Sequence, residues 1–201
     1  MTISEMKSKL KGVLSEKRYN HSIGVMEEAC RLAAHYQADI RKAEIAGLLH
    51  DCAKHIGEQD AVPMLRRFGE EPDAVQKVSY QLLHGLLGYY IAKEQYGVTD
   101  EDILRAIYWH TTGKAGMTLL EKIIFVADYI EPGRDFSGLD EIRKTACIDL
   151  DLCVQLCADS TIRYVLSKGR LLHPLTIETR NDMIMKRLND RDPKNVGGII
   201  Y

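Results

Sequence analysis

Residues 43–51, AEIAGLLHD, and residues 122–128, KIIFVAD, are apolar on nearly every face of a helix and then end in titratable side chains. A helix with no polar face has to be buried on all sides, so the chain must wrap other elements around both. What it offers for that purpose is helical. Thr2-x-x-Glu5 reads as a capping box opening a first helix, and Thr99-x-x-Asp102 as a similar opening later. Helical patterns are expected over about 18–36, 41–55, 60–68, 73–96, 100–110 and 119–130, then over a long stretch from beyond Gly138 to about 168, and over 176–188. Gly57, Gly69, Gly97, Gly113, Gly116, Gly133 and Gly169 fall at the joints, where glycine suits helix ends and turns. Two-residue alternation, the mark of a half-buried strand, is nearly absent. The expectation is an all-α helical bundle, one domain over residues 1–201, with 190–201 a loose tail whose Ile199, Ile200 and Tyr201 dock back.

The bulk properties narrow the classes of function. A chain of 201 residues with formal net charge -2 has no global basic field to draw it to nucleic acid. No run is long enough to span a membrane, and MTISEMKSKLKGVL at the start lacks the apolar segment of a secretory signal. The five cysteines are odd in number and form no CxxC pair. Reduced thiols in the cytoplasm are therefore expected, with Cys153 and Cys157, four apart on one helical face, as packing residues.

Histidine placement separates surface from interior. Positions three and four apart share a helical face. His21 shares one with Val25, Ala29 and Leu32; His84 with Tyr80, Leu87, Gly88 and Ile91; His110 with Ile103, Ala106 and Ile107. His35 instead lies with Glu28 and Arg31, toward solvent, and His173 precedes Pro174, which turns it away from a helix interior. His50, Asp51 and Asp128 end the two all-apolar helices. A buried carboxylate is costly unless it is paired or binds a metal, and neither aspartate has a lysine or arginine one turn before it. Taken singly, an inward histidine is a core residue as readily as a ligand, and an aspartate at a helix end can be a cap. Six such residues on separate helices make a common inward cluster. Imidazole and carboxylate together suit iron, manganese, zinc or cobalt.

The same residues carry a resemblance. A separated His, an adjacent His-Asp pair and a distant Asp, here His21 in RYNHSIGV, His50-Asp51 in LLHDCAK and Asp128 in FVADYIEPGRDF, resemble the signature of the HD-domain metal-dependent phosphohydrolases. The words RYNHS, LLHDCAK, HTTG and ADYIEPGRDF, spread over about residues 18–180, are similar to those of the bacterial YqeK family, the symmetrical bis(5'-nucleosyl)-tetraphosphatases. That resemblance implies a metal held by His21, His50, Asp51 and Asp128, most readily iron as one or two ions, with cobalt, manganese or magnesium as alternatives. It implies that His84 and His110 complete a second ion or touch phosphate, and that Asp51, His84, His110 and Lys54 serve catalysis, His110 supplying any acid. It implies nucleotide contacts from His21, Lys54, His55, Ile56, Gly57, His84, His110, Thr111, Asp128, Tyr129, Arg134 and Arg170. The implied ligand is a dinucleoside polyphosphate, or ADP or GDP, and a homodimer follows by analogy alone. The implied reaction is symmetrical hydrolysis of diadenosine tetraphosphate to two ADP. Two other functions remain open: an HD phosphohydrolase of another nucleotide or phosphoester, and a nucleotide-binding sensor without significant turnover. TTGK at 111–114 is not a P-loop, because the first glycine of that motif is missing.

Overall fold

The computed structural model describes residues 1–191, and the expectation for Ile199, Ile200 and Tyr201 lies outside that range. The described residues are helical, with no strand among them. In chain order the helices are α1 (Ile3–Val13), α2 (Glu16–His35), α3 (Ile40–Leu49), α4 (Glu58–Arg67), α5 (Ala74–Val78), α6 (Leu83–Tyr96), α7 (Glu101–Trp109), α8 (Leu119–Ile130), α9 (Leu139–Thr145), α10 (Leu150–Ser167) and α11 (Pro174–Arg191). A short 3-10 turn, Tyr80–Leu82, joins α5 to α6. None of these helices is long and apolar enough to cross a membrane.

The two all-apolar segments take the centre. α3 packs against α2, α7 and α8, while α8 also packs on α2, α7 and α10; α6 lies along α7, and α11 along α10. Leu48, Leu49, Ile123, Ile124 and Val126 are fully buried. Close helix crossings set the spacing of this centre. A Cβ on Gly47 of α3 would stand 2.9 Å from the Cα of Met26 in α2, and one on Gly85 of α6 would press into the Tyr108 carbonyl at 2.5 Å. Only glycine lets these backbones meet so closely. Cys52, Cys153 and Cys157 are buried and unbridged.

Several expected boundaries move, each for a local reason. The Thr2–Glu5 capping box is formed, but α7 is capped by Asp100 rather than Thr99: the Asp100 carboxylate accepts from the N–H groups of Asp102 and Ile103. A carboxylate at that position also meets the positive end of the helix dipole. The expected helix over 73–96 breaks at Ser79, where α5 ends with Val78 68% exposed, so no burial holds the helix on through this point. The long pattern to 168 is two helices, since Asp149 turns out of line and caps α10 by accepting from Leu152 N–H at 2.8 Å. Finally α3 stops at Leu49 rather than running to 55. The His50 ring takes the Gly47 carbonyl (2.8 Å) and the His55 ring takes that of Cys52 (3.0 Å), so tighter turns replace the α-helical ladder.

Candidate active site

The helix ends converge. α2 delivers His21, the turn after α3 delivers His50, Asp51 and Lys54, the first turn of α6 delivers His84, the end of α7 delivers His110, and the last turns of α8 deliver Asp128. His50 and Asp51 are buried and His110 nearly so. Every imidazole in the group is fixed from behind through Nδ1. His50 donates to Gly47 O (2.8 Å), His110 to Ile107 O (2.7 Å), His84 to Gln81 O, and His21 to a Glu131 carboxylate oxygen (3.0 Å). A carbonyl oxygen only accepts, so the proton must sit on Nδ1 and the Nε2 of each neutral ring faces the cluster.

Those inward atoms fall into two groups that share one carboxylate. On one side, His21 Nε2 lies 3.2 Å from His50 Nε2, 3.0 Å from Asp128 Oδ1 and 3.8 Å from Asp51 Oδ2. On the other, His84 Nε2 lies 2.9 Å from His110 Nε2 and 3.2 Å from Asp51 Oδ1. Asp51 thus turns one oxygen to each pair of histidines. In neutral rings the close Nε2–Nε2 approaches place lone pair against lone pair, which no hydrogen bond explains. Two nitrogens ligating one ion at ~2.1 Å would be separated by about 3.0–3.4 Å, so the donor set fits a metal. Three overlapping triplets have all their donor atoms within 4.8 Å of one another: His21, His50 and Asp51; His50, His110 and Asp128; Asp51, His84 and His110. The outward Nδ1 bonds are the orienting contacts that metal-ligating histidines commonly make.

The aspartates are not left unpaired, although the sequence showed no cation one turn before them. Arg18 reaches Asp51 Oδ2 at 3.0 Å and Arg134 reaches Asp128 Oδ1 at 2.6 Å. Lys54 Nζ sits 3.0 Å from His84 Nδ1 and 4.0 Å from Asp51 Oδ1. Charge in the cluster is finely opposed. Burial would raise the Asp51 and Asp128 carboxyls, but the facing imidazoles, with Lys54 and Arg134, hold both well below the usual range. Burial lowers His50, and burial with the neighbouring His84 and His50 rings pushes His110 down to about 3. Burial also opposes charge on His21, yet Asp128 and Glu131 outweigh it and raise that residue. Burial lowers the Lys54 ammonium.

The cluster forms the floor of a cavity of about 800 Å³. Thr111 hangs at its edge, its Oγ1 3.2 Å from His84 Nε2, and Tyr129 and Arg134 stand in its wall. His55, Ile56 and Gly57 line a neighbouring recess that shares Lys54 and His84 with it. Arg170 is the expected contact that the fold does not bring in: it is exposed after α10 and outside the cavity wall. Its position in a loop beyond the helix gave no local pattern to place it.

Three features of the site were missed. Arg18 belongs to the RYNHS word but was not singled out, and neither was Glu131 in ADYIEPGRDF. Glu131 is only 4% exposed and accepts from both His21 Nδ1 and Gly133 N–H. Ser160, Thr161, Tyr164 and Ser167 of α10 also face the cavity. Their spacing of three and four was the available signal, and it reads equally as a solvated face.

The model of the HD domain matches residues 18–133. The chain belongs to the HD-domain family. The HD domain implies divalent-metal binding, and this one carries a His/Asp cluster with donor atoms close enough to hold an ion. Over 174 residues the chain is 41% identical to the symmetrical bis(5'-nucleosyl)-tetraphosphatase of Halalkalibacterium halodurans, covering 87% of this chain and 92% of that one. Over 175 residues it is 41% identical to the protein of the same name from Bacillus subtilis, covering 87% and 94%. The fold is shared with a crystal structure of a Clostridium acetobutylicum protein described as a predicted HD superfamily hydrolase involved in NAD metabolism. That pair has a TM-score of 0.90 and 47% identity over 92% of this HD protein and 98% of the other.

Proposed function

We propose that this protein is a symmetrical dinucleoside tetraphosphatase: a metal-dependent hydrolase that cleaves diadenosine tetraphosphate-type dinucleotides into two nucleoside diphosphates. The observation that carries the reading is the Asp51 carboxylate shared between two histidine pairs, ringed by Arg18, Lys54 and Arg134 at the floor of a large cavity. The names of the relatives from Halalkalibacterium halodurans and Bacillus subtilis support it. In this reading His21, His50, Asp51 and Asp128 hold one ion, while His84 and His110, with Asp51 shared, hold a second. Iron is proposed from the family resemblance, and the imidazole and carboxylate donors, which manganese, zinc and cobalt also accept, are compatible with it. The one-domain reading is supported by the packing of α10, and through it α11, on the helix that carries Asp128.

When bound, such a metal supplies Lewis acidity toward phosphoryl oxygen and lowers the pKa of water. The remaining work belongs to the side chains. Arg18, Lys54 and Arg134 are cations already fixed by ion pairs beside the carboxylates, so they meet polyphosphate charge with little reorganisation. Water adds to an inner phosphorus, the bond from that phosphorus to the central bridging oxygen breaks, and one nucleoside diphosphate leaves while the other keeps the new oxygen. The expected acid role of His110 fits poorly, because a ring pushed down to about 3 holds no proton to give near neutral pH. Lys54, with three N–H donors beside His84, is the better placed donor to the departing oxygen. Tyr129, Arg134 and Thr111 line the route of the nucleotide.

Product analysis tests the reading. Purified protein loaded with iron or cobalt should convert diadenosine tetraphosphate to ADP alone. AMP with ATP as products, or no turnover, would refute it.

A further inference from the structure

Symmetrical cleavage makes a geometric demand: the reacting phosphorus lies in the middle of the chain, so a nucleoside diphosphate must extend from the cluster on each side. We propose that the two nucleosides leave by different recesses, and that Tyr80 and Gln81 are specificity-determining residues in the second. The inference rests on the symmetrical-cleavage reading above.

The first exit is the 800 Å³ cavity, whose outer wall carries Tyr129, Phe136 and Tyr164. Two further recesses open beside it. The larger, about 930 Å³, shares Arg18, Arg134 and Phe136 with the first, but its wall carries four carboxylates, Glu16, Glu27, Glu131 and Asp135. Polyphosphate entering there would face like charge. The smaller, about 370 Å³, shares Arg18, Lys54 and His84 with the first cavity and has no carboxylate in its wall. A tetraphosphate crossing between these two would therefore run over an arginine and a lysine, next to the histidine that faces Asp51.

The chemistry of the smaller recess also suits a nucleoside. Ile56, Ala61 and Leu87 give it apolar surface, and the Tyr80 ring and Gln81 side chain add a π-face and an amide. Its wall is mostly polar, with Arg18, Lys54 and His84 at the inner end, and 370 Å³ lies within the range of about 300–1,000 Å³ usual for small-molecule sites. Both residues come from the 3-10 turn created by the break at Ser79. The same turn supplies the Gln81 carbonyl that orients His84. Truncating the Gln81 side chain leaves that carbonyl in place, and Gln81 is exposed, so the fold does not depend on its amide.

The experiment compares two substrates with equal numbers of phosphates: diadenosine tetraphosphate, and adenosine 5'-tetraphosphate, whose single nucleoside takes the 800 Å³ cavity. For Tyr80→Ala, kcat/KM on the dinucleotide should fall at least about fivefold, the loss expected for one base stacked on one ring, chiefly through KM. Gln81→Ala should act in the same direction. Tyr80→Ala should cleave the mononucleoside substrate as the unsubstituted protein does. Equal losses on both substrates, or none on either, would overturn the second exit while leaving symmetrical cleavage intact. An unsubstituted protein that cleaves neither substrate would overturn the symmetrical reading itself.

Discussion

Replacing Glu131 with glutamine changes one atom type in a buried contact and should reach the metal without touching a ligand. The Glu131 carboxylate accepts twice, from His21 Nδ1 at 3.0 Å through one oxygen and from Gly133 N–H through the other. A glutamine amide has the same shape but only one acceptor. One of the two donors must then face an NH₂ group, and leaving a buried donor unsatisfied costs about 1–3 kcal/mol. If His21 is the donor that loses its partner, its tautomer is no longer fixed and Nε2 is no longer held toward His50 and Asp51. Contacts of this kind behind a ligand change metal affinity by ~10–100-fold, equivalent to about 1.4–2.8 kcal/mol. Calorimetric titration of iron(II) or cobalt(II) into chelator-stripped protein should show a weaker first site in Glu131→Gln, with helix content by circular dichroism unchanged. An affinity indistinguishable from the unsubstituted protein would mean that Glu131 does not orient His21.

Removing single ligands should separate the two histidine pairs. His84→Ala should lower the metal content of purified protein by one ion and spare the His21–His50 side, whereas Asp51→Asn, which weakens the carboxylate shared by both, should deplete both; unchanged metal content in Asp51→Asn contradicts the ligand assignment. The metal-free protein should lose stability on acidification. His50 and His110 are lowered by burial, so the unfolded chain takes up protons below about pH 6.5 that the folded rings refuse at the same pH, down to about 3 for His110. The raised His21 works the other way and is outnumbered. Thermal melts in the presence of chelator should fall across that window, and His110→Asn should flatten the slope; a melting temperature independent of pH there would refute the account.

Much of the fold was legible because burial leaves a period in the sequence. α8 was expected over 119–130 and is Leu119–Ile130, since Ile123, Ile124, Val126 and Ala127 need cover on every side. The breaks at Ser79 and at 146–149 were not legible, because an apolar period continues across a short break and does not record direction. The end of α3 was hidden for a different reason: it is set by the His50 ring competing for a carbonyl, a side-chain event with no hydropathic trace. The six inward residues could be grouped because each lies on, or ends, an apolar helical stretch. Arg18 and Glu131 could not, since their partners stand 33 and 110 positions away and both side chains look like ordinary surface charge. The α10 wall stayed hidden because a face of Ser, Thr and Tyr looks the same whether it borders a cavity or solvent.

The close helix crossings at Gly47 and Gly85 have a consequence for metal choice. The candidate ligands His21 and His50-Asp51 are carried by α2 and the end of α3, and His84 and His110 by α6 and the end of α7, and each of these two helix pairs meets closely at a glycine. The gauge of the site is therefore set by main chain, which yields far less than a rotamer does. In the proposed site an ion of a different radius would press on these helix contacts as well as on the ligand rotamers, so the scaffold would contribute to discrimination among cations. Exchanging one histidine for another donor would alter how strongly a metal is held; widening the gap at either glycine would alter which metal fits.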